Sequence, residues 1–135
     1  MANRSLRCLP VALLALALPL AAAAAGPDSA AAKQAGIASA HAGMALAATD
    51  LNVVHMHLHH VINCLVGPAG KAFDANQADP CKGMGQGALV DARGDAATEA
   101  RLRMALADAE HGLQAATLAG AHADAQKALT ALRQK

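Results

Sequence analysis

The apolar positions in the first half of the chain follow a helical period. They recur at steps of three, four and seven residues, at Ile37, Met44, Leu51, Val54, Leu58, Ile62 and Leu65. Such a stripe is typical of a helix with one buried face, and no proline interrupts residues 28–66. Asp28 or Ser29 is suited to cap the first turn. The pattern predicts one continuous helix over residues 30–66.

Residues 67–95 lose this period. The segment opens with Gly67-Pro68, a typical helix stop, and glycine recurs through it. We therefore predict a loop over residues 67–95. A loop of this length is uncommon in a small domain unless it is functional or held in place.

The last part of the chain returns to a helical pattern. Asp95 is a suitable N-cap, and two apolar stripes follow it. One stripe contains Leu102, Leu106, Ala109, Leu113 and Ala116, and the other contains Met104, His111, Leu118, His122 and Leu129. Residues 96–134 are predicted to form either one helix or two helices with a joint near Gly120. The fold class is all-α: a long antiparallel helical hairpin, with room for a short third helix.

The N-terminus has the features of an export signal. Arg4 and Arg7 precede an apolar run from Leu9 to Leu20, and small residues lead to Gly26. The run is shorter than the roughly 20 residues that cross a bilayer. We predict a signal peptide over residues 1–25 and a single domain over 26–135, with an uncleaved anchor as the alternative. The mature protein is then periplasmic or secreted and has no membrane segment.

Two cysteines remain after the predicted signal is removed. Cys64 lies in the last turn of the first predicted helix, and Cys81 lies within the loop. An even number of cysteines in an oxidising compartment favours a disulfide. We predict a Cys64–Cys81 bond that tethers the loop.

Composition narrows the classes of partner. The chain is 55% hydrophobic, but much of this is alanine, with one Phe and no Tyr or Trp. A core of small side chains buries little area per residue, so two hairpins are predicted to pair as a homodimer into a four-helix bundle. The formal net charge of +1 gives no basic surface for nucleic acid.

The strongest chemical signal is the segment His55-Met56-His57-Leu58-His59-His60. It holds four of the seven histidines of the chain. On a continuous helix, the 100° turn per residue puts His41 on one face with His55 and His59. His57 and His60 fall on another face, together with Cys64, and the simplest interpretation of these two is as surface residues.

A histidine pair four residues apart presents two nitrogens on one helix face. His55 and His59 are therefore the predicted nucleus of a transition-metal site, with copper or zinc favoured. Met104, Asp108 or His111 of the second helical segment, or a symmetry mate, is predicted to complete it, and His57 and His60 are further candidate ligands. Methionine is expected mainly as core filler, although Met44, Met56 or Met104 would suit Cu(I).

These residues leave two classes of function open. One is an exported protein that binds copper or zinc for buffering, sensing or delivery. The other is a structural or adaptor hairpin whose histidines are incidental or respond to pH. No His-Glu-x-x-His, Gly-x-Ser-x-Gly or phosphate-loop motif is present, and we expect no enzyme. Covalent haem lacks its Cys-x-x-Cys-His motif, and bound haem would lack aromatic residues to line its pocket.

Overall fold

Five helices and no strand occupy the described residues, Gly26 and 28–134, in a computed structural model of the protein. The helices are α1 (Ala30–Ala47), α2 (Leu51–Val66), α3 (Ala88–Asp91), α4 (Ala96–Leu113) and α5 (Leu118–Arg133). The predicted all-α class is confirmed. None of these helices is long and apolar enough to cross a membrane. The predicted signal peptide lies outside the described residues.

The single helix predicted over residues 30–66 is two helices. Ser29 caps α1 by accepting a hydrogen bond from the Ala32 N–H at 3.1 Å. The backbone then becomes extended at Ala48. Asp50 starts α2, since its Oδ1 accepts from the N–H groups of Asn52 and Val53. The capping carboxylate stabilises a new helix start within a stripe that otherwise looks continuous.

The second half also contains two helices. Asp95 caps α4 through the Thr98 N–H at 3.1 Å, as its sequence position predicts. α4 ends at Leu113, and Thr117 caps α5 by accepting from the Gly120 N–H at 3.1 Å. The joint therefore lies at residues 114–117. Gly120 belongs to the first turn of α5 and does not break it.

The four long helices pack in the order α1, α2, α4, α5 around the core, with α5 returning to α1. This is a four-helix bundle within one chain. Alanines from α1, α4 and α5 are fully buried, among them Ala38, Ala42, Ala105 and Ala121. Gly112 brings α4 close to α2, because a Cβ there would lie 2.7 Å from Cδ1 of Leu58. The bundle thus needs no second copy, and the homodimer stays a prediction.

The 67–95 loop is held against one end of the bundle. The predicted Cys64–Cys81 disulfide is present, with a Cα–Cα distance of 5.2 Å. Buried Asn63 donates to the carbonyls of Asp74 and Ala78 and accepts from the Asp74 N–H at 2.9 Å. One side chain on α2 therefore satisfies three backbone groups of the loop.

A buried glutamine on α1 holds the end of the same loop. The Gln34 Oε1 accepts from the Gly87 N–H at 3.0 Å, and its Nε2 donates to Asp91 Oδ2 at 2.6 Å. Gly87 has a φ of 112° and contacts Val66 so closely that a Cβ would lie 2.5 Å from that backbone. Only glycine fits this approach. The disulfide and these polar contacts close the bundle at the α1 N-terminus and the α2 C-terminus.

Candidate metal centre

Three histidines meet between α1 and α2. His41 Nδ1 lies 3.2 Å from His57 Nδ1 and 3.3 Å from His60 Nδ1. Ligand nitrogens of all three lie within 4.8 Å of one another. Among the described residues, no other group of three His, Cys, Asp or Glu side chains brings its ligand atoms this close.

The break between α1 and α2 creates this meeting. Three residues, 48–50, connect the two helices, so α2 returns antiparallel to α1 and places His57 and His60 opposite His41. His57 and His60 are three residues apart and share one face of α2. His60 is buried, with 8% of its surface exposed, whereas His41 and His57 are half-buried. The interpretation of His60 as a surface residue is therefore wrong, because α1 covers that face.

Two of the three nitrogen–nitrogen distances match a tetrahedral metal site. Imidazole nitrogens bound about 2.0–2.1 Å from a tetrahedral ion lie about 3.3–3.4 Å from one another. The two measured Nδ1–Nδ1 distances, 3.2 and 3.3 Å, are within about 0.2 Å of this value.

Hydrogen bonding alone accounts for only part of the arrangement. A nitrogen of a neutral imidazole carries either one proton or one lone pair. His41 Nδ1 is within hydrogen-bond distance of both other Nδ1 atoms, so it can make one well-directed bond and not two. A shared cation would accept all three lone pairs.

The surroundings keep the three rings neutral. The pKa of His41 is lowered from 6.5 by burial, and then by the neighbouring His60 and His57. Burial also lowers the pKa of His57. The pKa of His60 is lowered by burial first, and then by His57 and His59. Neutral imidazole is the form that binds metal, so the centre is ready to bind at neutral pH.

His55 and His59 lie elsewhere on α2. His59 Nδ1 is 3.6 Å from Oδ2 of Asp74 in the tethered loop. His55 Nε2 is buried and has no hydrogen-bond partner among the described residues. No group of three candidate ligands includes either residue within the described part of the chain. The predicted nucleus is thus not joined by a third close ligand of that kind, and it stays a prediction to be tested against the three-histidine centre.

The candidates on the second helix pair are also apart from the centre. His111 Nδ1 lies 2.7 Å from Oδ2 of Asp124. Met104 is 51% exposed on α4 and lines a cavity with Arg101 and Gln134. His122 Nε2 lies 2.9 Å from the carbonyl oxygen of Ala48. It therefore contacts the connection between α1 and α2.

His41 is the member of the three-histidine cluster that the sequence pattern misplaced. The grouping of His57 with His60 on one face of α2 is correct, because both belong to one helix. Grouping His41 with His55 and His59 is wrong, since the angular argument crossed the break at residues 48–50. Asp50 before the apolar run was the available signal for that break.

Comparison with known proteins adds no further constraint. No protein-family model, curated protein or solved structure matches the chain.

Proposed function

We propose that the protein binds one transition-metal ion, copper or zinc, through His41, His57 and His60, and that it serves in buffering, sensing or delivery of that metal. The observation that carries the proposal is the pair of Nδ1–Nδ1 distances, 3.2 and 3.3 Å. Imidazole suits both metals, and no carboxylate contributes to the candidate group of ligands. The proposed role is binding without catalysis.

We also propose that the protein acts in an oxidising compartment outside the cytoplasm. The Cys64–Cys81 disulfide and the signal peptide predicted over residues 1–25 support this together. Cell fractionation followed by mass spectrometry tests it. We expect a mature N-terminus after Ala23 or Ala25, and a full-length protein in the cytoplasm would contradict export.

The metal site is tested by titrating the tag-free protein with Zn(II) and Cu(II). The parent is compared with His41→Gln/His57→Gln and with His55→Gln/His59→Gln. We expect the first variant to lose more affinity than the roughly 10- to 100-fold typical of a lost outer-shell partner. The second should keep the affinity of the parent and bind one ion per chain.

The same titration separates the alternatives. If the folded His41→Gln/His57→Gln variant binds as tightly as the parent, the three-histidine centre is not the site. Loss of binding only in His55→Gln/His59→Gln would show that the metal binds at His55 and His59, as the sequence predicted. If the parent binds no metal better than about micromolar, the adaptor hypothesis replaces metal binding.

A further inference from the structure

Every methionine that the structure describes is exposed. Met44, Met56, Met84 and Met104 have 48%, 37%, 39% and 51% of their surface accessible, respectively. The expectation that methionine fills the core is therefore wrong for these four. Exposed thioether side chains contribute little to folding, and their sulfur atoms are accessible as soft ligands for a metal ion.

Two of the four flank the histidine centre. Met44 follows His41 by one helical turn on α1, and Met56 precedes His60 by one turn on α2. Residues three or four apart on a helix have their Cβ atoms about 5–6 Å apart. Val53, which is 39% exposed and four residues before His57, completes the apolar rim. Three of the five exposed large apolar residues among the described residues thus lie one helical turn from a histidine of the centre.

The directions of the side chains favour the same grouping. Long side chains on a helix lean toward its N-terminus. Met44 therefore leans toward the turn that holds His41, and His60 leans toward the turn that holds Met56, whereas Met56 itself leans toward the N-terminus of α2. Because α1 and α2 are antiparallel and His41 lies opposite His57 and His60, the next turn of α1, with Met44, lies opposite the turn of α2 that holds Met56.

The other end of the centre is closed. Ala38, one turn before His41, and Cys64, one turn after His60, are fully buried, and Cys64 is in the disulfide. A ligand therefore reaches the imidazole nitrogens from the methionine side. Met44 and Met56 lie one helical turn from His41 and His60, at the end of the centre away from the disulfide.

Thioether sulfur is a soft ligand that suits Cu(I), whereas Zn(II) takes its ligands from thiolate, imidazole and carboxylate. We propose that Met44 and Met56 complete the His41–His57–His60 centre as thioether ligands, so that the metal held there is copper in its reduced state. This rests on the proposed function and specifies its metal. One thioether fills the fourth position, and the second provides an equivalent ligand on the path of entry.

The test compares two double variants that are matched in chemistry. Met44→Leu/Met56→Leu removes the thioethers beside the centre, and Met84→Leu/Met104→Leu removes the exposed thioethers away from it. Leucine conserves volume, and all four positions are exposed, so both variants should fold. Cu(I) affinity is measured anaerobically by competition with a chromogenic chelator. Zn(II) affinity is measured in parallel, and X-ray absorption reports sulfur ligation of Cu(I).

We expect Met44→Leu/Met56→Leu to weaken Cu(I) binding on the order of tenfold and to lose the Cu–S scattering of the parent. Zn(II) affinity should stay at the parental value, and the control variant should match the parent for both metals. The inference is overturned if the two variants have equal Cu(I) affinity, if the parent shows nitrogen scattering only, or if Zn(II) binding weakens equally.

Failure of the inference is distinguishable from failure of the proposed function. If His41→Gln/His57→Gln weakens both metals while the methionine variants do not differ, only the assignment of Cu(I) fails. If His41→Gln/His57→Gln changes neither affinity, the three-histidine centre itself fails.

Discussion

The two halves of the bundle use histidine in opposite ways. Between α4 and α5, His111 Nδ1 and Lys127 Nζ lie 2.7 and 2.8 Å from the two carboxylate oxygens of Asp124. Between α1 and α2, His41 contacts two other histidines, and none of the three forms an ion pair with a carboxylate among the described residues. The carboxylate of Asp124 is thus paired with two basic side chains, whereas the three histidines contact one another and form no ion pair with a carboxylate among the described residues.

The pKa directions express the same contrast. Burial alone would raise the pKa of Asp124, but hydrogen bonds from Lys127 and His111 outweigh it, and the pKa is lowered. The carboxylate is therefore charged and satisfied. In the three-histidine centre, burial lowers the pKa of all three rings, and neighbouring histidines lower the pKa of His41 and His60 further, which favours the neutral imidazole form. A buried charge that is already paired indicates a structural role, and convergent lone pairs indicate a cation site.

The largest expected effect is stabilisation of the α1–α2 half by metal. An ion that binds only the folded state adds about 4 kcal/mol to the free energy of unfolding when present at 1,000 times its Kd. We expect this increment in urea unfolding of metal-loaded against chelator-treated protein. His111→Gln should retain it, because His111 belongs to the other half. The same increment in His41→Gln/His57→Gln would contradict the contrast between the halves.

The second effect comes from the disulfide, which ties only one half to the loop. Replacing both cysteines, Cys64→Ala/Cys81→Ala, should lower the free energy of unfolding by about 3 kcal/mol for a loop of 17 residues. Amide hydrogen exchange should increase most in the 67–87 loop and the last turn of α2, and least in α4 and α5. A uniform increase over all helices would show that the two halves lose their structure together.

Much of the fold could be predicted from the sequence because its signals are local. The apolar period identified helical segments, and the two cysteines that follow the predicted signal peptide identified the Cys64–Cys81 bond. The role of Asp95 as the N-cap of α4 was also predicted from the sequence. The break before Asp50 was missed, because the apolar stripe continues through it. The joint before Thr117 was foreseen as one of two alternatives but was placed near Gly120.

The site was harder to predict than the fold because it depends on register. His57 and His60 belong to one helix, so their common face followed from their spacing. The partner of these two, His41, is set by where α1 ends and how α2 packs back on it. The spacing of the histidines contains no information about that packing. A missed capping residue was thus enough to assign His41 to the wrong face.

The third effect concerns the satisfied ion group in α4–α5. Asp124→Asn removes the charge that accepts from His111 and Lys127, and the effect on stability is limited because both partner side chains are largely solvated. We expect urea unfolding to show a small loss of stability, with metal affinity unchanged. Glu110→Gln, at an exposed position of α4, is the control and should leave stability unchanged. Weaker metal binding in Asp124→Asn would mean that the two halves are coupled.

The smallest effect is a difference in how the halves respond to acid. In metal-free protein, the pKa values of His41, His57 and His60 are lowered from 6.5, so the unfolded chain takes up protons at a higher pH than the folded chain. Stability from the neutral rings is present above about pH 6.5 and is lost as the pH falls through the lowered values. The pKa of Asp124 is lowered from 3.8, so its contribution persists until the pH falls below about 3.8.

The melting temperature of chelator-treated protein should therefore fall in two steps between pH 8 and pH 3. His41→Gln should reduce the upper step, because it removes one titrating ring and lessens repulsion among the other two. Asp124→Asn should remove the lower step and leave the upper one. Both steps should be shallow, since His41 and His57 are half-exposed and the partners of Asp124 are largely solvated. If the His41→Gln and parent profiles superimpose between pH 7 and pH 5, the centre does not set the upper step, and the contrast between the halves rests on metal binding alone.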